Sequence, residues 1–161
     1  MTIGVLFVCT ANLCRSPMAE GVFRSQAAKA GLTDALDIDS AGTGATHVGQ
    51  PPTRLAVAAA AARGYDISGL RARQVTDEDI RHFDYVLAMT RNHLVELRWL
   101  APRELADRPQ LLMSYAPPIG VLDIADPFGG TAEDYERALG LIEAATRGLV
   151  ARLTPEIRKA I

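Results

Sequence analysis

Apolar positions along the chain fall into two patterns: short solid blocks, and longer stretches in which they recur at helical spacing. Ile3 to Val8 is a solid block with the length and the β-branched, aromatic content of a strand buried on both faces. Leu36 to Ala41 alternates apolar and polar residues and predicts a second strand. Tyr85 to Met89 predicts a third, buried strand, and Gln110 to Ser114 a fourth. Helical patterns fill the gaps. Pro17 to Ala30 carries Met18, Val22 and Phe23 on one side, with Ser16 expected as N-cap, Pro17 as first helical residue and Gly31 at the stop. Thr53 to Arg63 is alanine-rich and closed by Gly64, and Asn92 to Leu100 stops before Pro102. In Thr131 to Leu153, the residues Tyr135, Leu139, Ile142, Thr146, Leu149, Val150 and Leu153 line one stripe, expected with Trp99 to be core. Asp77-Glu78-Asp79 reads as a helix start on a solvated face.

Strands alternating with helices predict an α/β fold, a parallel sheet covered by helices on both faces. Such sheets bind ligands outside the carboxyl ends of their strands. At 161 residues the length fits a single domain, 1–161. Apolar residues make up 48% and charged residues 22%, so disorder is excluded. Seventeen basic against nineteen acidic residues give a net charge of −2, which offers no general attraction for nucleic acid or an anionic membrane. The block Ile3 to Val8 is far too short to span a bilayer and has no signal-peptide context. Two cysteines cannot make a disulfide framework, which points to a cytoplasmic protein with reduced thiols.

Both thiols lie in one stretch, VCTANLCRSP, residues 8 to 17, between the first strand and the first helix. A loop opening a helix turns several backbone N–H groups toward one point, where the helix dipole favours negative charge. Arg15 adds a planar fork of donors that matches phosphate oxygens. The same field favours the thiolate of Cys9, the nucleophilic form of the side chain. Cys14 has two open readings: a small core residue, or a thiol that forms a reversible disulfide with Cys9 on oxidation. His47, His82 and His93 are scattered and supply no zinc spacing, and Gly42-Thr43-Gly44 is a turn rather than a dinucleotide fingerprint.

These residues resemble the low-molecular-weight protein tyrosine phosphatases, with their V-C-x-G-N-x-C-R-S-P signature. The resemblance continues through Ser40-Ala41-Gly42-Thr43, His47-Val48-Gly49, Arg71 to Val75, Asp84 to Met89 with Asn92, and Asp126 to Gly129. It implies a flavodoxin-like, four-stranded parallel twisted sheet, and metal-independent catalysis with no cofactor. By resemblance Cys9 attacks phosphorus, and Arg15 with the amides of Thr10, Ala11, Asn12, Leu13, Cys14, Arg15 and Ser16 holds the phosphate. Asp126 protonates the leaving oxygen and then activates water. Ser16 hydrogen-bonds the Cys9 thiolate, and Asn12 with Ser40 fixes the loop. Leu13, Thr46, His47 and Phe128 form the lip that receives a phenyl ring. The implied partners are phosphotyrosine-containing proteins, and the enzyme is expected to act as a monomer.

The chain also departs from the pattern. Ala11 stands where glycine is usual, which would strain the loop if that position needed a positive φ. Thr46 replaces a common tryptophan, and Gly129 the second aromatic of a tyrosine pair. Thr90 and Thr53 stand where acids are common and receive no catalytic role, and Leu70 replaces a histidine that supports the loop in some relatives. Two related chemistries compete. A protein arginine phosphatase tends to carry threonine at the position of Leu13, and a thiol-dependent arsenate reductase needs cysteines beyond Cys14. A nonenzymatic phosphoprotein-binding module would dispense with Cys9, Arg15 or Asp126, and all three are present.

Overall fold

The computed structural model describes residues 2–160. Four strands, β1 (Ile3–Cys9), β2 (Leu36–Gly42), β3 (Tyr85–Ala88) and β4 (Pro109–Leu111), form one parallel sheet in the order β2-β1-β3-β4. β1 lies inside and pairs with β2 over its whole length, from Ile3 opposite Leu36 to Cys9 opposite Gly42. On its other side Val5 to Val8 pair with Tyr85 to Ala88. The chain leaves β1 toward β2 and later returns to β3 on the opposite flank, so the carboxyl end of β1 is the point where the winding changes direction.

Strand side chains alternate between the two faces. Val5 and Phe7 join the larger core under α1 (Arg15–Lys29), α2 (Arg54–Ala62) and α5 (Ala132–Lys159). Leu6 and Val8 join a smaller core with Ile80 of α3 (Asp77–His82) and Leu97 of α4 (Arg91–Leu100). Each of those four β1 side chains is fully buried, which is why the first block lacks polar alternation. Among the described residues no helix is long and apolar enough to cross a membrane.

Four expectations need correction. β4 is the edge strand Pro109–Leu111 rather than Gln110 to Ser114, because Leu112–Tyr115 curl into a 3-10 turn that buries Leu112 and Met113. An apolar run of this length is compatible with either shape. Helix α5 does not stop at Leu153 but runs through Pro155 to Lys159, where burial of Ile157 sustains the last turn. The Thr154 hydroxyl donates to the Val150 carbonyl at 2.7 Å just before the missing proline N–H. Trp99 is not core: it is 86% exposed, since α4 buries the face of His93 and Leu97 and Trp99 projects from another side. Helix α1 starts at Arg15, and Ser16 is not its cap. Pro17 still falls within the first turn, whose N–H groups have no helical partner.

Helix α5 passes so close to the 112–115 turn that a Cβ on Gly148 would lie 1.9 Å from the Tyr115 carbonyl oxygen. An exposed helical glycine gains up to about 1 kcal/mol on replacement by alanine, but this clash with backbone costs about 1–3 kcal/mol. Gly148→Ala is therefore expected to lower Tm by several degrees in a thermal melt followed by circular dichroism. An unchanged or raised Tm would contradict the tight packing.

Candidate active site

Residues Thr10 to Cys14 form a tight loop from the end of β1 to the start of α1. Asn12 is the single non-glycine residue with positive φ among the described residues, at 58°. Ala11 therefore does not require the glycine conformation, and the departure from the signature is strain-free there. Asparagine tolerates the left-handed region, and three hydrogen bonds hold it there. Its Nδ2 donates to Ser16 Oγ at 2.8 Å and to Ser40 Oγ at 3.1 Å, while its Oδ1 accepts from the Arg73 backbone N–H at 3.0 Å.

The loop lies directly against the next segment of chain. Thr43 and Gly44 donate backbone N–H groups to the carbonyls of Cys9 and Thr10, both at 2.9 Å. A Cβ on Gly42 would sit 2.5 Å from the Thr10 carbonyl oxygen, so only glycine permits this approach. The turn read at Gly42-Thr43-Gly44 is thus one wall of the loop. On the other side the Thr53 N–H donates to the Leu13 carbonyl at 3.0 Å.

Cys9 is 3% exposed, and its Sγ lies 3.0 Å from Ser16 Oγ. Because Ser16 Oγ accepts from Asn12, its own proton is free for the sulfur or for the Ala41 carbonyl at 3.3 Å. Ser40 in turn donates to Glu20 Oε1 at 2.7 Å, and Arg24 Nε donates to Glu20 Oε2 at 2.9 Å. Burial pushes the Glu20 carboxyl up, opposed by its hydrogen bonds to Ser40 and Arg24. A chain of hydrogen bonds thus links Arg24 and Glu20 through Ser40, Asn12 and Ser16 to Cys9. The sequence reading missed Glu20; its signal was an acid on the same helix side as Ser16 and Phe23, four and three residues away.

Arg15 is 4% exposed. Its Nη1 donates to the Ile124 carbonyl at 2.8 Å, its Nη2 lies 3.6 Å from Asp126 Oδ2, and its Nε finds no protein acceptor among the described residues. Asp126 sits on a loop pinned by buried Ile124, whose N–H donates to the Met89 carbonyl at 2.9 Å. Beyond it, Asp126 Oδ1 accepts the Phe128 N–H at 3.1 Å, a turn that leaves the carboxylate half exposed.

A cavity of about 240 Å³ opens over the loop, lined by the loop residues Cys9, Thr10, Ala11, Leu13, Cys14 and Arg15 and by Gly44, Thr46, His47, Asp126 and Phe128 from later segments. All four expected lip residues face it. The rings of His47 and Phe128 lie 6.5 Å apart, and Phe128 is 57% exposed. Asn12, Ser16 and Ser40 lie outside the lining and act from behind the loop. Cys14 Sγ lies 3.5 Å from Thr53 Oγ1 and 3.4 Å from the Tyr135 hydroxyl, and burial pushes its thiol up. Thr53 caps α2 as well, and the Tyr135 phenol, also desolvated, is pushed up to about 12. Neither contact to Cys14 was legible beforehand.

A buried thiol at the carboxyl end of β1, with a guanidinium and a carboxylate on the same cavity lining, defines a class, the cysteine-dependent phosphatases with a parallel α/β sheet. The family pattern described as low molecular weight phosphotyrosine protein phosphatase matches residues 4–159, and the chain belongs to that family. It is 42% identical to a low molecular weight protein-tyrosine-phosphatase of Streptomyces coelicolor, over 98% of this chain and 97% of that one. The crystal structure of YfkJ from Bacillus subtilis superposes with a TM-score of 0.91 at 36% identity, covering 97% of both chains. The YwlE arginine phosphatase, solved with a phosphorylated active-site serine in place of cysteine, superposes with a TM-score of 0.85 at 32% identity, covering 97% and 99%.

Proposed function

We propose that residues 1–161 act as one phosphatase domain that hydrolyses phosphotyrosine in proteins through a phosphocysteine on Cys9. The observation that carries this reading is the placement of Cys9, Arg15 and Asp126 around a single cavity. The Cys9 thiolate attacks phosphorus in line with the leaving phenolic oxygen, steadied by the Ser16 hydroxyl. The amides from Thr10 to Ser16 and the free donors of Arg15 hold the three nonbridging oxygens as charge shifts onto them. Asp126 gives its proton to the phenolic oxygen as the P–O bond breaks. Its carboxylate then takes a proton from water, which attacks the phosphocysteine. The P–S bond breaks, inorganic phosphate leaves, and the thiolate is restored. The serine-bound phosphoryl group in YwlE supports the covalent step.

Leu13 supports a phenyl substrate over a guanidinium, because the buried leucine gives the cavity an apolar wall and no acceptor for phosphoarginine N–H groups. Arsenate reduction lacks a relay cysteine beyond Cys14. Cys14, on the same cavity lining, serves as a redox guard: a Cys9 sulfenic acid formed by peroxide condenses with the Cys14 thiol, releasing water and making a disulfide. The site's dependence on free thiols supports a reducing, cytoplasmic setting.

The deciding experiment compares matched phosphotyrosine, phosphoserine and phosphoarginine peptides in the presence of chelator. Phosphotyrosine is expected to be favoured by at least about tenfold in kcat/KM, a little over 1 kcal/mol of transition-state discrimination. Faster turnover of phosphoarginine would overturn the substrate, and hydrolysis of none would overturn the function.

A further inference from the structure

His93 is 3% exposed, at the third position of α4, and belongs to no part of the mechanism above. Its Nε2 lies 2.7 Å from Thr10 Oγ1, and its Nδ1 lies 3.0 Å from Thr90 Oγ1. Thr90, the cap of α4, also accepts the His93 backbone N–H at 3.2 Å. With the ring proton on Nε2, Thr90 donates its hydroxyl proton to Nδ1 and Nε2 donates to Thr10. The Thr10 oxygen is then occupied as an acceptor. Its own proton is left to point elsewhere, and Thr10 lines the cavity immediately after Cys9.

We propose that His93 is a positioning residue of the phosphate site, holding Thr10 so that its hydroxyl proton is offered to a bound dianion, and that the imidazole answers to the charge in the cradle. The inference rests on the phosphate-binding reading of the loop. Two influences keep the ring neutral. Burial comes first and the Arg15 guanidinium second, opposed by Asp126 and Asp123 on the facing loop. Together they push His93 down to about 4. Asp123 is itself paired with Arg91 at 3.0 Å, which blunts its pull. A dianion over Arg15 offsets part of that push, so it favours imidazolium. By reciprocity, protonation of His93 tightens anion binding by the same factor.

The test follows the His93 ring by NMR with and without sulfate, which stays dianionic throughout, in a Cys9→Ser, His47→Gln, Asp126→Asn protein, which leaves Arg15 and the Cys14 thiol as the ionisable side chains of the cavity lining. Sulfate is expected to raise the His93 midpoint by about one pH unit, with affinity about tenfold tighter once the ring is protonated. His93→Gln in the same background is expected to lose that pH dependence. Sulfate that shifts the loop amides but leaves the His93 midpoint in place would overturn the inference. Loop amides that do not respond at all would overturn the anion cradle itself. In the otherwise wild-type enzyme, His93→Leu and Thr10→Val are each expected to lower kcat/KM about tenfold, and the double variant by no more than either alone, because both cut one link. Additive losses would show that the two residues act separately, against the proposal.

Discussion

Cys9→Ser is expected to lower turnover of a phosphotyrosine peptide by about 10⁴-fold or more, the scale on which enzymes lose rate when a nucleophile is removed. That loss corresponds to about 5.5 kcal/mol of barrier. Serine fits the same buried place and can take the same contact with Ser16, so the loop and the fold are retained. What changes is the attacking atom, since a hydroxyl in this setting gives up its proton far less readily than a thiol. Steady-state kinetics checks the rate, and calorimetric titration with sulfate checks that the cradle still binds. Activity within tenfold of wild type, with the cradle intact, would remove Cys9 from the mechanism.

Asp126→Ala is expected to lower kcat/KM, which reports the P–O cleavage step, by about 10²–10⁴-fold on esters of poor leaving groups and far less on esters such as 4-nitrophenyl phosphate. A general acid matters in proportion to the charge that its proton cancels, so the loss must steepen as the leaving phenol becomes more basic. The 3.6 Å pair with Arg15 does not confuse the result. Asp126 is half exposed, and such a pair contributes at most about 1 kcal/mol to stability. Removing it also leaves Arg15 Nη2 free for the phosphate, so KM is expected to fall or hold. A plot of kcat/KM against leaving-group basicity decides the matter: equal losses in kcat/KM along the series would deny Asp126 the acid role.

How far the sequence carried the reading depends on the range of each interaction. The β1 block, the helix after it and the position of Cys9 and Arg15 were legible, because local pattern and a strand-to-helix junction determine them. Ser16 shows the first limit. A serine at a helix start can cap the helix or serve a neighbour, and only Asn12, bent into the left-handed region, directs it to Cys9. The partners of the loop were less legible still: Thr10 meets His93 across 83 positions, and Cys14 meets Tyr135 across 121. The stripe containing Tyr135 is core, yet its hydroxyl end reaches Cys14 and Thr53 beside the loop. Trp99 failed for the opposite reason, since hydrophobicity alone does not say which side of a helix a sheet will cover.

The loop around Asn12 carries one last consequence. Its shape is fixed by Ser16, Ser40 and Arg73 before any ligand arrives, so the entropy of ordering it belongs to folding and not to binding. A cradle built in advance for a tetrahedral dianion fits the freed product as well as the ester's own phosphate. Inorganic phosphate must therefore compete with substrate for the empty enzyme. On the proposed function, affinity resides in the loop and selectivity in Leu13, Thr46, His47 and Phe128, so exchange of one of these four is expected to redirect the enzyme to new esters while its sensitivity to product stays the same.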